Sequence, residues 1–223
     1  TIAEVYALHI LLSMLFLYAL LRWEHGIADL RMRQRSDRWL VIAALAAGLG
    51  MAHHRMIALL LPAGLLFIVW SDPEILRKPR RWIMPLLAGL APLSLYMYLP
   101  LRGRYVTSLD GTFVPSPAGV VDWILARGYN VFLTGNPFDV QRDAAFFVDL
   151  FVQQFGLMLV AIALFGVVGG AWRLQAKRLG FILIATVMQI CFGLLYKVED
   201  IGVFFIPAFF LTGIWIAVGA SYL

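Results

Sequence analysis

Cysteine is almost absent from this chain. Cys191 stands alone inside an apolar run, so no disulfide can close within the sequence and the redox compartment leaves no mark on it. Charge is scarce as well: Asp, Glu, Lys and Arg make 14% of the residues, where a soluble domain carries about a quarter. With 62% of the residues hydrophobic, that balance excludes an ordinary soluble fold. Gly-rich phosphate loops, a Cys-x-x-Cys pair and a Gly-x-Ser-x-Gly element are all missing, which argues against nucleotide-driven chemistry in this segment. Internal repeats and low-complexity tracts are missing too. A net charge of +5 would suggest nucleic acid in a soluble chain, but here no nucleic-acid partner is expected. Lys and Arg in short loops set the orientation of membrane proteins.

What is present is a series of apolar runs near the length that spans a bilayer. The pattern predicts an all-α, polytopic helical bundle with about seven membrane helices, at 3–21, 39–51, 56–70, 82–99, 148–171, 179–196 and 201–220. Residues 1–223 read as part of one transmembrane domain, a fragment of something larger. Trp23, Trp39, Trp70, Trp82 and Trp172 fall near helix ends, as interface anchors do. The loops at 22–38, 71–81 and 172–178 hold twelve of the 18 Lys and Arg against five acids, and the rest of the chain holds six against eight. The positive-inside rule makes those three loops cytoplasmic, and all seven helices then alternate without conflict. Glu4, the residues near 54, the segment 100–147 and the turn 197–200 are thereby expected on one external face.

The external segment 100–147 is the only sizeable piece between membrane helices. Turn signals at Asp110-Gly111, Pro115-Ser116-Pro117 and Gly135-Asn136-Pro137 punctuate it. Between them, Val120, Val121, Ile124 and Leu125 recur at helical spacing opposite Asp122 and Arg127. An amphipathic helix over about 118–127, lying on the membrane surface, is expected.

His53, His54 and Arg55 interrupt the greasy stretch between Trp39 and Trp70. An ionisable residue inside a membrane segment costs several kcal/mol (about 2.5–3.5 for Arg on insertion scales) unless it faces a cavity, a partner or the interface. Two short helices meeting at a polar hinge would hold the triplet near the headgroup level. Adjacent side chains on a helix point apart, so the two histidines are not expected to share a metal. Arg55 suits a phosphate, since its guanidinium forks onto two oxygens. Glu4, at the external start of the first helix, could ligate a divalent cation or orient an acceptor hydroxyl. Equally, Thr1 and Glu4 fit a helix capping box. Arg102 and Arg104 could grip a lipid phosphate or merely anchor a helix end. Asp200 could point into a cavity, while Lys197 and Glu199 could form a local ion pair.

Several segments together resemble one membrane family. They are Ala3-Glu4-Val5-Tyr6-Ala7-Leu8-His9, Gly50-Met51-Ala52-His53-His54-Arg55 and Leu95-Tyr96-Met97-Tyr98-Leu99-Pro100-Leu101-Arg102. Ser116-Pro117 with Trp123 and Gly128-Tyr129 follow, then Val198-Glu199-Asp200-Ile201 and Phe205-Ile206-Pro207-Ala208. In that order they resemble the bacterial protein O-mannosyltransferase-like family. The resemblance implies a GT-C glycosyltransferase fold in the inner (plasma) membrane, with the active site at the external, periplasmic face. It implies a polyprenyl-phosphate-linked sugar, mannose by the family's activity, as donor and a protein or glycan hydroxyl as acceptor. The principal catalytic acid of such enzymes lies in a first external loop, which should precede Thr1. Glu4 would then be a second active-site carboxylate. His53, His54, Arg55, Arg102, Arg104, Tyr129 and Asp200 would be substrate-binding residues. Many members carry Asn-His where this chain has His53-His54, which makes His54 the stronger candidate of the two.

Two other classes compete with an enzyme. A transporter or flippase of lipid-linked sugar would use the same cleft, and would carry interrupted helices in matching halves. The sequence offers one interruption, at the hinge. A structural membrane subunit would use the polar residues only to bind lipid.

Overall fold

The computed structural model describes residues 2–27, 33–106, 113–114, 116–173 and 176–223, and of residues 2–4, 33–34 and 173 the backbone only. Among the described residues every regular element is a helix. The long rods are α1 (Ile2–Ile27), α2 (Arg33–His53), α3 (Arg55–Ser71) and α4 (Arg80–Gly103). The short helix α5 (Pro117–Ile124) follows, and then α6 (Ala144–Arg173), α7 (Ala176–Leu195) and α8 (Ile201–Ala220). α1 packs along α2, α2 along α4, α3 along α7, and α6 along α8.

Each of the seven apolar stretches falls on one of these rods, 179–196 overrunning the end of α7 by one residue, and five of the rods are long and apolar enough to cross a membrane. They are Val5–Ile27, Arg80–Gly103, Ala144–Trp172, Ala176–Leu195 and Ile201–Ala220. α2 opens on Arg33, Arg35, Asp37 and Arg38, so its apolar part is short. α3 is a shorter apolar helix. Cutting one greasy stretch at His54 leaves two pieces, each below the length of a full crossing.

The rods are less regular than the single expected interruption. α3 begins as a 3-10 helix over Arg55–Leu60, and α4 changes to 3-10 geometry over Ala91–Met97, which carries Pro92 near its start. α8 opens with a 3-10 turn at Ile201–Phe205. In α6, Gly156 adopts φ 77° and ψ 154°. That left-handed φ is open to glycine and strained for other residues, so α6 is two helical halves joined at a kink.

Helix ends also run further than the apolar pattern. α1 continues to Ile27 and α2 starts at Arg33, so much of the expected 22–38 loop is helical. Tertiary partners explain this. Arg178 donates from Nε and Nη2 to the Glu24 carboxylate at 2.9 and 2.7 Å. Arg81 grips Asp37 at 2.8 and 2.7 Å and Asp72 at 2.6 Å. Trp23 is fully buried and donates its indole N–H to Asp37 at 3.4 Å. It is a core residue, not the interface anchor its position suggested, whereas Trp70 and Trp172 are exposed. These ion pairs gather the three loops rich in Lys and Arg at one end of the bundle. The hinge and the 196–200 turn lie at the other, joined to the segment around α5 by the contacts described next.

Candidate functional site

The site is built on the break between α2 and α3. His54 leaves helical geometry for φ −146° and ψ 114°, while its N–H still donates to the Gly50 carbonyl at 2.6 Å. A Cβ on Gly50 would press on the Ile57 side chain, so the bare glycine eases the close return of α3. Interrupting the helix turns three consecutive side chains in three directions. The His53 Nε2 lies 2.9 Å from the Val5 carbonyl on α1, which places a proton on that nitrogen. The His54 ring lies against Tyr6 and His9 of α1, with ring centres 5.3 and 4.9 Å away. Arg55 Nη2 donates to the Trp123 carbonyl at 2.6 Å, and its guanidinium sits 5.8 Å over the Trp123 ring.

These residues open onto a cavity of about 560 Å³, inside the ~300–1,000 Å³ range of small-molecule sites. His53, His54 and Arg55 form one wall. Trp123, Tyr129, Asn130 and Leu133 come from the segment 100–147, and Phe192, Tyr196 and Phe204 close the far side. Tyr96 of α4 also lines it and donates its hydroxyl to the Met51 carbonyl at 2.6 Å. The lining thus mixes aromatic rings with aliphatic side chains, and carries one guanidinium and two imidazoles on one side.

The wall from segment 100–147 is held by several independent contacts. The Ser116 hydroxyl caps α5 by accepting from the Gly119 N–H at 3.0 Å. α5 stops at Ile124, before the expected limit of 127, because Ala126 turns left-handed at φ 54°. Past that turn Arg127 pairs with Asp122 at 2.6 Å. The Lys197 backbone N–H donates to the Phe132 carbonyl at 2.8 Å, stitching the segment to the turn after α7. Arg142 donates to the Val198 carbonyl and, at 3.0 Å, to the Glu199 carbonyl. No Lys197–Glu199 ion pair forms; the turn is held through its backbone.

Burial first, then the charges of His53 and Arg55, pushes the His54 imidazole down to about 4, so at neutral pH it is uncharged. Burial also raises the Tyr196 phenol above its ordinary range, keeping it protonated. The arrangement offers an anion one permanent cation, neutral donors and a set of aromatic faces suited to a sugar ring.

The structure brings His53, His54, Arg55 and Tyr129 to one cavity. Arg102 and Arg104 are exposed beyond it, at the end of α4, and do not line it. Asp200 is exposed and outside the lining, though within electrostatic reach of Tyr6. Glu4 has its backbone in the first turn of α1, next to the Val5 carbonyl that His53 reaches. Its side chain, like Thr1 and the capping box they would share, lies outside the described residues. Among the described residues no three His, Cys, Asp or Glu side chains converge to hold a metal. Phe192, Tyr196 and Phe204 gave no sequence signal, being aromatics in a chain rich in them. His9 could have been flagged, as a polar residue within an apolar run.

No curated protein and no solved structure gives a significant match to the chain. Residues 1–76, which carry α1, α2, the hinge and α3, match the model of the protein O-mannosyl-transferase TMEM260 N-terminal domain, and this match supports an O-mannosyltransferase-like family for the chain.

Proposed function

We propose that this chain forms the membrane part of a glycosyltransferase that moves mannose from a polyprenyl phosphate to a hydroxyl of a protein or glycan at the external membrane face. The observation that carries the reading is the cavity at the hinge. One guanidinium and a neutral imidazole share a wall there, aromatic and aliphatic side chains line the rest, and the wall that holds the charge joins two of the apolar rods. Similarity over residues 1–76 to a protein O-mannosyl-transferase domain supports the reaction class. The all-helical bundle is compatible with a GT-C arrangement of seven membrane helices, with α2 and α3 as a bent pair.

In this reading the acceptor oxygen bonds to the anomeric carbon as the bond from that carbon to the phosphate oxygen breaks. The acceptor proton goes to a carboxylate, and the polyprenyl phosphate leaves with the bonding pair. Arg55 receives the departing phosphate through charge-assisted hydrogen bonds, which strengthen as negative charge develops. His54 adds a neutral donor. Glu4, whose backbone opens α1, is assigned to the acceptor side as a second carboxylate. Tyr129 and Trp123 offer faces to the sugar. Arg102, Arg104 and Asp200 contact the lipid headgroup or the acceptor at the rim.

The test uses membranes holding the full-length protein, labelled polyprenyl-phosphate mannose, and the Arg55→Ala variant at equal abundance. Label passing into protein or glycan, and failing to pass in the variant, supports the enzyme. Failure with a panel of lipid-linked sugars, while one of them crosses the bilayer unchanged, replaces it with a transporter.

A further inference from the structure

Beneath the cavity wall lies a line of polar atoms that nothing satisfies. Both ring nitrogens of His9, the Nδ1 of His54 and the hydroxyl of Ser13 are buried without a hydrogen-bond partner among the described residues. His9 has no exposed surface and Ser13 almost none. Leaving such groups bare inside a membrane bundle is costly, so neighbouring orphans are expected to pair with one another. Their placement allows it. His9 and Ser13 are four residues apart on α1 and therefore share a face one turn apart. The His9 and His54 ring centres are 4.9 Å apart, with planes tilted by 40°. Two imidazoles joined by an N–H···N bond of ordinary length have centres about 5 Å apart. The observed separation matches that spacing.

We infer that Ser13, His9 and His54 form a hydrogen-bonded chain in which His9 and Ser13 are positioning residues that set the tautomer of His54. The Ser13 O–H donates to one His9 nitrogen, and the other His9 nitrogen donates its proton to His54 Nδ1. His54 is then left with its proton on Nε2, facing the cavity. The opposite direction would present a lone pair there beside Arg55, which would repel the anion that Arg55 attracts. A metal shared by the two rings is not favoured, because no third His, Cys, Asp or Glu joins them among the described residues. The direction of the chain rests on the proposed function, since it is the leaving phosphate that requires a donor. The apolar run makes His9 conspicuous in the sequence, but nothing there shows that its partner is His54, 45 residues away, and neither His9 nor Ser13 lines the cavity.

The experiment is 15N NMR on the full-length protein in lipid nanodiscs, labelled at histidine, with His54 assigned from the His54→Gln spectrum. The expected result is one His54 tautomer, protonated at Nε2 and bare at Nδ1. His9→Phe should release it to a mixture, and His9→Gln, which keeps a donor and an acceptor, should restore it. Mannose transfer should fall about 10- to 100-fold in His9→Phe, the usual effect of removing a group that orients a functional histidine, and recover in His9→Gln. A wild-type His54 protonated at Nδ1, or a tautomer indifferent to His9→Phe, overturns the inference. The locked tautomer together with no transfer by wild-type protein would uphold the chain and sink the enzyme reading instead.

Discussion

The two ends of the bundle treat buried polarity in opposite ways. At the end rich in Lys and Arg, Arg81 is shared between Asp37 and Asp72, Arg178 grips Glu24, and Trp23 and Trp82 spend their indole N–H groups on Asp37 and the Ile75 carbonyl. At the hinge end, among the described residues, no acid meets the buried polar atoms: the His9 ring nitrogens and His54 Nδ1 have only one another and Ser13 to turn to, and the Nε of Arg55 is left over. Burial of polar groups is costly at both ends. One end recovers the cost within the chain, which is what a folding anchor needs. The other sets no described carboxylate against Arg55, which leaves that charge for a ligand.

That contrast can be broken, most forcefully at Arg81. Arg81→Leu takes the shared guanidinium from two carboxylates, one of them nearly buried, and should cost about 3–5 kcal/mol, read as a large fall in thermal unfolding temperature in nanodiscs. Arg55→Ala should do the reverse, cutting mannose transfer by about 100-fold or more with little change in that temperature. Were Arg55→Ala to unfold the protein while Arg81→Leu left it intact, the roles assigned to the two ends would have to be exchanged. A smaller effect belongs to pH. His54 titrates lower in the folded protein than in the unfolded chain, so the unfolded state binds more protons as pH falls. Stability from this site should be complete above about 6.5 and decline toward about 4. His54→Gln should flatten that part of a profile of unfolding temperature against pH. The least effect is expected from Lys78→Ala, which removes the exposed pair with Glu74. A change beyond about 0.5 kcal/mol there would mean that even the surface charges of that end bear on the fold.

The helices and the hinge were legible in the sequence for one reason: both are contrasts in polarity. Apolar runs stand out from loops, and His53, His54 and Arg55 stand out from an apolar run. The cavity's far wall offered no such contrast, because Phe192, Tyr196 and Phe204 are three among 16 Phe and eight Tyr. Trp123 could be marked only as part of a resemblance, since its contact with Arg55 joins residues 68 apart in the chain. The Asp37, Asp72 and Arg81 network was hidden in a different way. Charges in loops of that kind are explained by orientation alone, so nothing in the sequence asks for partners. Trp23 shows the same limit, being at an interfacial position by sequence and at the centre of a polar junction in space.

The bond from the Lys197 N–H to the Phe132 carbonyl involves no side chain at either end. The wall it fastens can therefore change its residues without losing its place. Asn130 and Leu133, which face the cavity on that wall, are free to drift among relatives or to be redesigned. Acceptor preference could then be rewritten on a fixed frame, with the stitch itself inherited unchanged.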